Sequence, residues 1–312
     1  MKGHHLLWGA GYRHAHDDID NINPAALAFI PGTRNLQWYH VFAQDEWRLT
    51  SDLALTLGVK AEHNDYSGLE WLPSARVAYT ISQSRLLWSA VSRAVRAPSR
   101  IDVELFAPAN PPFALAGGRN FRSETSNVVE LGYRAQESTA FSYSVTAFYH
   151  DHARLRSLEP RPGGAVFENR IEGFTKGLEA WSTWRVARPW RLDAGWVELR
   201  QNLRPQAGSL STPVASGHGN DPRRWVTLRS ALDLTPRHEL DVSARYVAAL
   251  PNPAVPSYTT VDVRLGWRVS RELELSLLLQ DLFDTSHAEW GAAPNRMELR
   301  RAAFLKLLWR PQ

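Results

Sequence analysis

The sequence of 312 residues contains no cysteine, so it can form neither a disulfide framework nor a thiolate metal site. It also lacks an apolar run of about 20 residues, and a transmembrane helix is therefore not expected. The 36 basic residues are scattered among 32 acidic ones without a basic block, so no nucleic-acid partner is expected. Neither a Gly-x-Ser-x-Gly elbow nor a His-Glu-x-x-His pair occurs, and the sequence indicates neither an enzyme nor a cofactor.

Alternation of apolar and polar side chains is the dominant pattern that is present, and it is clearest from Tyr258 to Asp284. The period is two on both sides of a turn at Ser270 and Arg271, which is typical of an antiparallel hairpin with one apolar face. We predict that this face contacts lipid, because the rest of the chain offers only further hairpins and nothing to cover it. The predicted lipid-facing residues are Val261, Val263, Leu265, Trp267, Leu273, Leu275, Leu277 and Leu279.

The same unit recurs along the chain and predicts about 14 strands. Their connections alternate between turns of about 2 to 4 residues and mostly longer polar loops. This sorting is typical of an antiparallel transmembrane β-barrel, and 13 tryptophans would supply its aromatic girdles. A soluble β-sandwich is the alternative that the strand pattern leaves open. The predicted strands cover approximately 4–13, 38–49, 53–63, 73–81, 85–96, 127–135, 139–150, 174–186, 190–199, 225–234, 239–248, 258–269, 273–280 and 302–309.

Two clusters of potential metal ligands stand where predicted strands enter long loops. The first cluster consists of His14, His16, Asp17 and Asp18, and the second of His150, Asp151 and His152. A His-x-His pair on a strand places both imidazoles on one face, which is compatible with a first-row metal ion. Neither cluster has a complete ligand set at a known spacing, so hydrated loop ends are the favoured explanation and no metal site is assigned.

Arginines flank the long segment 97–121. Arg93 and Arg96 precede it, and Arg119 and Arg122 lie at its end, so these side chains could line a cationic mouth for an anionic ligand. The alternative is that they are salt-bridge partners in the lumen or on the surface. The predicted ligand-binding residues are Arg93, Arg96, Arg119, Arg122, His150 and His152.

Several segments share, in order, the motifs of a known family. The chain reads VFAQDEWRLTSDLALTLGVKAEH, SRAVRAPS, SETSNVVELGYR, GFTKGLEAWSTW, and YTTVDVRLGWRV followed by LELSLLLQDLFD. These segments correspond in turn to a Q-D-x-W strand with its L-G partner, an S-x-x-x-R-A-P-S segment, an E-x-S-x-x-x-E-L-G segment, a G-x-E strand, and a Y-x-x-x-D strand before an N-L-F-D motif. The ordered set resembles the carboxy-terminal barrel of the TonB-dependent outer-membrane receptors.

This resemblance implies a receptor in the bacterial outer membrane that captures a scarce ligand, such as a ferric siderophore, and imports it with energy from TonB. Barrels of that family have 22 strands around a plug, so residues 1–312 are expected to form a single partial β-barrel domain without a plug domain. The chain would then be a fragment that communicates with TonB only through the missing plug. The alternative is a self-contained passive channel of about 14 strands, in which strands 4–13 and 302–309 pair.

Two departures from the family pattern lie near the end of the chain. Asp281 stands where the family has asparagine, and a carboxylate cannot donate the hydrogen bonds of an amide, so a differently built turn is expected. The chain ends with Trp309, Arg310, Pro311 and Gln312. Family members end on an aromatic residue, so recognition of the last strand by the assembly machinery is expected to differ.

Overall fold

The computed structural model describes residues 3–311, in which long strands form one antiparallel sheet. Fourteen strands lie in the sheet in their order along the chain, and the two-residue strand Leu115–Ala116 joins the sheet in parallel. The strands are β1 (His4–Asp18), β2 (Thr33–Arg48), β3 (Leu53–Asn64), β4 (Gly68–Ser82), β5 (Arg85–Arg96), β6 (Glu124–Gln136), β7 (Phe141–Arg161), β8 (Gly164–Ala187), β9 (Trp190–Pro205), β10 (Arg224–Thr235), β11 (His238–Val247), β12 (Tyr258–Arg268), β13 (Leu273–Gln280) and β14 (Ala302–Trp309). The prediction of an all-β antiparallel architecture is confirmed.

The only α-helix in the described part of the chain is α1 (Arg100–Glu104), which lies between β5 and β6. Within residues 3–311 no helix has the length and apolar character needed to cross a membrane.

β1 and β14 form the two edges of the sheet. Each of the other long strands pairs on both sides, whereas no ladder joins β1 to β14 within residues 3–311. The sheet is therefore an open wall. The pairing that a self-contained channel of 14 strands requires is not seen in this part of the chain.

One face of the sheet is apolar and the other is polar. Val91, Val129 and Tyr149 lie opposite one another on three neighbouring strands, and all three are exposed. Arg134 and Ser144 lie opposite each other on the other face and line a cavity of about 950 Å³, which is walled by residues of β6 to β13. That face is therefore concave, and the sheet is one curved layer. The alternative of a soluble sandwich of two packed sheets is wrong.

Six tight turns of two to four residues lie at one end of the sheet, which we call the short-turn end. In four of them, the hydroxyl of Thr50, Ser138, Thr235 or Ser270 accepts a hydrogen bond at 3.1 Å from the backbone N–H three residues further on. Such local bonds are why small polar residues favour turns. The turns lie where the sequence predicts them.

At the opposite, long-loop end, two connections differ from the prediction. Segment 151–173 is not a loop, because β7 and β8 continue as a hairpin whose tip contains Gly163 with a φ of +85°. A β-bulge at Arg154, with a φ of +59°, redirects β7, and Ile171 of the extension is fully buried. Likewise, only residues 65–67 separate β3 from β4. The predicted alternation of connection lengths therefore fails at these two positions, where the strands are longer instead.

The β5–β6 loop, residues 97–123, packs against the extended hairpin. Its strand Leu115–Ala116 pairs with β8, and its strand Leu105–Phe106 pairs with Ala28–Phe29 of the β1–β2 loop. Gly118 permits the close approach, because a β-carbon there would lie 2.0 Å from the carbonyl oxygen of Phe167. This packed layer ties the β5–β6 loop to β8 and to the β1–β2 loop.

Asp281 follows β13 in the left-handed conformation, with a φ of +53°. Aspartate and asparagine adopt this conformation more readily than other residues with a β-carbon. The Asp281 N–H donates to Oδ1 of Asp262 at 3.0 Å, and the Leu282 N–H donates to the carbonyl of Val261 at 2.9 Å. These bonds use backbone N–H groups and need no side-chain amide, which explains how aspartate fits this position. The other departure extends to Gln312, which lies outside the described residues.

Candidate ligand-binding site

A gap opens in the wall where β4 and β5 part. Their pairing ends at Ser74 and Ser92, and a pocket of about 520 Å³ lies beyond that point, towards the long-loop end. We call it the seam pocket. Its lining residues are Tyr66, Ser67, Leu69, Glu70, Arg93, Arg119, Asn120, Phe121, Arg122, Ser123 and Arg154.

Four arginines line the seam pocket, against one carboxylate. The structure brings together the predicted Arg93, Arg119 and Arg122 and adds Arg154 from β7. Arg93 donates to the carbonyl of Trp71 and forms an ion pair with Glu70, with 3.3 Å between Nη2 and Oε2. Within residues 3–311 the other three arginines make no ion pair, so the pocket has an excess of positive charge.

Asn169 of β8 holds the two sides of the pocket in place. Its Nδ2 donates to the carbonyl oxygens of Arg122 at 2.9 Å and Arg154 at 2.8 Å, and its Oδ1 accepts from the Arg122 N–H at 2.6 Å. One side chain thereby fixes the end of the β5–β6 loop against the bulge in β7. The Nε atom of Arg154 is buried without a hydrogen-bond partner among the described residues.

Arg96, which the sequence places in the same mouth, does not line the seam pocket. It forms a two-pronged pair with Glu124 at 2.7 and 2.9 Å and a bond of 2.9 Å with Asp102. Asp102 is fully buried and also accepts from the N–H and hydroxyl of Ser99 at 2.9 and 2.8 Å. Burial opposes ionisation of Asp102, but the bonds from Arg96 and Ser99 outweigh it and hold its pKa below the ordinary value. Arg96 thus anchors the loop.

A second set of ion pairs ties α1 to the wall. Arg100 pairs with Asp17 of β1 at 3.0 Å and with Glu104 at 2.8 Å, and Glu104 pairs with Arg34 of β2 at 2.7 Å. Burial and the nearby Glu104 carboxylate raise the pKa of Tyr66, in the β3–β4 turn, to about 12. We call the set of pairs around Asp102 and Glu104 the α1 clamp.

The predicted metal ligands near the start of the chain lie within β1, because this strand extends to Asp18. Asp17 is engaged with Arg100, and His16 Nδ1 lies 2.8 Å from Oδ1 of Asn35. His14 lies opposite Gln37. Across residues 3–311, no three histidine, aspartate or glutamate side chains come together in a way that could hold a metal ion.

His150 and His152 lie next to each other on the same face of β7, with their ring centroids 6.1 Å apart. His152 Nε2 is 3.1 Å from the hydroxyl of Thr175, and that hydroxyl accepts a hydrogen bond from Gln201 at 3.2 Å. Neither histidine lines the seam pocket. His152 instead contributes to a separate pocket of about 320 Å³. Their role in ligand binding remains a prediction.

The predicted lipid-facing residues of β12 and β13 share one face of the sheet. Leu265 lies opposite Leu277, and both are exposed, at 46% and 38%. On the other face, Arg264 pairs with Asp241 at 2.9 Å and with Glu274 at 3.1 Å. The two faces thus separate apolar from charged side chains, as the alternation predicts, and contact of this apolar row with lipid remains a prediction.

Sequence reasoning missed Arg154 and Asn169. Both lie in segment 151–173. The prolines and glycines near the centre of this segment favour a loop. The four arginines of this segment were the available signal, but their spacing indicates no shared site. Only the bulged hairpin brings Arg154 beside Arg122, 32 residues earlier in the chain.

Comparison with known proteins identifies the family of this wall. The family model described as TonB dependent receptor-like, beta-barrel, matches residues 2–282. The iron-regulated outer membrane virulence protein of Vibrio cholerae is 22% identical over 310 residues, covering 93% of this chain and 47% of that protein. The ferric enterobactin receptor of Pseudomonas aeruginosa is 22% identical over 287 residues, covering 79% of this chain and 37% of the receptor.

Solved structures share the fold. The siderophore receptor PirA from Acinetobacter baumannii aligns with a TM-score of 0.76 and 15% identity, covering 98% of this chain and 52% of that chain. The chain thus spans about half the length of the first of these relatives and of this receptor structure. The family match, the curved antiparallel wall and the receptor structures agree with one another. The chain therefore belongs to the TonB-dependent receptor-like β-barrel family of the bacterial outer membrane.

Proposed function

We propose that this chain forms wall and extracellular loops of a receptor that takes up an anionic iron chelate, a ferric siderophore of the catecholate class. The seam pocket is the observation that supports this ligand. Four arginines surround a space of about 520 Å³ with a single carboxylate, and arginine clusters favour planar or multiply charged oxygen ligands. The names of two relatives point the same way, since they are a ferric enterobactin receptor and a catecholate siderophore receptor.

This chain would bind the ligand, and the rest of a receptor would supply the parts needed for import. Arg119 and Arg122 would draw the chelate in from solution by long-range attraction, and Arg154 would contact it in the pocket. Import would then require TonB and a plug, as the family resemblance implies, with the plug against the concave face. This chain is not expected to accumulate a ligand on its own or to catalyse a reaction. A self-contained passive channel is disfavoured by the separate edges of the sheet, β1 and β14.

The test is a binding titration followed by tryptophan fluorescence, with the full chain folded in detergent micelles. The probes are ferric enterobactin and a neutral ferric hydroxamate. Enterobactin is the ligand in a solved complex of a mutant of the Pseudomonas receptor. We expect the anionic chelate to bind at least about tenfold more tightly than the neutral one, because only the former gains from the arginines.

Charge reversal at two exposed positions of the site, R119E/R122E, should abolish that preference. R237E is the matched control, because Arg237 is exposed in the β10–β11 turn at the short-turn end. It should leave both affinities within about twofold of those of the unsubstituted chain. Equal binding of the two chelates, or an unaltered preference in R119E/R122E, would show that the arginines do not select the ligand.

A further inference from the structure

The apolar face carries exposed aromatic side chains at two levels along the strands, one nearer the short-turn end and one nearer the long-loop end. Tyr39 and Trp47 are eight residues apart on β2, and Trp71 and Tyr79 are eight apart on β4. At about 3.3 Å per residue and a tilt of about 40°, this spacing approaches the height of the apolar band of a barrel. The set nearer the long-loop end, which includes Tyr149 on β7, therefore marks the boundary of the outer leaflet.

Two cations stand on this boundary, on the same face as the aromatic residues. Lys176 of β8 lies directly opposite Tyr149, and Arg200 of β9 lies directly opposite Lys176. Residues directly opposite each other share a face, so both cations point away from the concave lumen. Like charges facing each other across two strands are destabilising unless an anion lies between them.

Neither cation has a carboxylate partner in the described part of the chain. Lys176 Nζ instead lies 5.4 Å from the centroid of the Phe174 ring. Glu198, the nearest carboxylate on β9, is held by Arg224, whose Nε is 2.6 Å from its Oε2. Asp151 and Glu172, the other carboxylates on this face of β7 and β8, lie further towards the long-loop end and line a different pocket. Asp151 is opposite Phe174, and Glu172 is paired with Arg204.

The cations lie at the edge of a groove of about 490 Å³. Its remaining lining is mostly apolar, and the one carboxylate in it, Glu198, is already paired with Arg224. Tyr149 and Leu178 are 42% and 41% exposed, and Trp196 completes this part of the groove. An apolar floor on the bilayer side with two cations above it matches an amphiphile that has a phosphate headgroup and hydrocarbon chains.

We propose that Lys176 and Arg200 bind the phosphate of a phosphorylated glycolipid of the outer leaflet, with its acyl chains against Leu178 and Trp196. The bound phosphate relieves the repulsion between the two cations and occupies the anion position that no side chain fills. The site is separate from the seam pocket, and it does not depend on which iron chelate the receptor transports.

The test uses the full chain in detergent micelles, with native mass spectrometry to count bound lipid. The probes are bis-phosphorylated lipid A and the same lipid after removal of both phosphates. We expect the phosphorylated form to bind about tenfold or more tightly than the stripped form. K176Q/R200Q should abolish this difference, whereas R200K, which keeps the charge, should retain most of it.

R204Q is the matched control. Arg204 is on β9, has an exposed side chain and is already paired with Glu172 at 3.2 Å, so its loss should not change lipid A binding. Far-UV circular dichroism verifies that each variant keeps its strand content. Equal binding of the two lipids, or wild-type preference in K176Q/R200Q, overturns the proposal. Displacement of lipid A by millimolar inorganic phosphate also overturns it, because the site would then be a simple anion site.

Discussion

Removal of the Asp102 carboxylate should release the β5–β6 loop from the wall. Asp102 is fully buried and accepts bonds from Arg96 at 2.9 Å and from the N–H and hydroxyl of Ser99 at 2.9 and 2.8 Å. Hydrogen bonds to a charged group contribute about 1.5–3 kcal/mol each. The guanidinium of Arg96 is partly exposed and keeps its pair with Glu124, which reduces its share.

For Asp102→Ala we therefore expect the free energy of loop opening to fall by about 3 kcal/mol. At about 1.4 kcal/mol per factor of ten, the opening equilibrium shifts roughly one-hundredfold. Asp102→Asn keeps the shape and one acceptor oxygen, so its effect should be smaller, about 1–2 kcal/mol.

Amide hydrogen exchange measured by mass spectrometry reports this opening directly. Peptides from residues 97–123 should exchange about one-hundredfold faster in Asp102→Ala, while peptides from β10 and β11 should not change. Glu137→Gln is the control, because that carboxylate forms an exposed pair with Arg85 at the short-turn end. Wild-type exchange of residues 97–123 in Asp102→Ala would refute the assignment of the α1 clamp as the anchor of the loop.

Two further predictions concern pH and the membrane face. The folded-state pKa of Asp102 is below its ordinary value, so its contribution is complete above about pH 4 and is lost as the pH falls through the folded-state pKa. Pepsin cleavage within 97–123 should therefore increase progressively as the pH falls below about 4, and an equal pH dependence of cleavage in Asp102→Ala would contradict this. Leu277→Arg should destabilise the folded wall in lipid vesicles by about 2–4 kcal/mol in a urea titration. Ser276→Arg, on the concave face, should lower the free energy of unfolding much less. Equal decreases in the two variants would show that Leu277 does not face lipid.

The wall could be predicted from the sequence because its rule is local. Alternation with a period of two identified β12 and β13 and the side of the sheet on which Val261 and Leu277 lie. The bounds of β14 were also predicted from the apolar run that ends at Trp309. In a transmembrane barrel, lipid on one side and a polar lumen on the other require that alternation of each strand separately, so no long-range information is needed.

The seam pocket could not be predicted in full, because it depends on contacts between distant segments. Arg93 and Arg122 were chosen for their position beside a loop, and they do meet. Arg96, chosen for the same reason, points instead to Glu124 and Asp102, because residues three apart on a strand lie on opposite faces. Arg154 was missed because its position results from a β-bulge and a left-handed φ, neither of which a pattern of residue types reveals.

The bond between the Asp281 N–H and the Asp262 carboxylate has a consequence for the last strand. It marks the residue at which β13 stops, and Gln280, the last residue of β13, lies opposite Ala302, the first residue of β14. With this register, Leu305 lies on the apolar face and Lys306 on the concave face. A slip of one residue would exchange the two and place an ammonium group in the bilayer. The register between β13 and β14 thus decides which side of the final strand is compatible with the membrane.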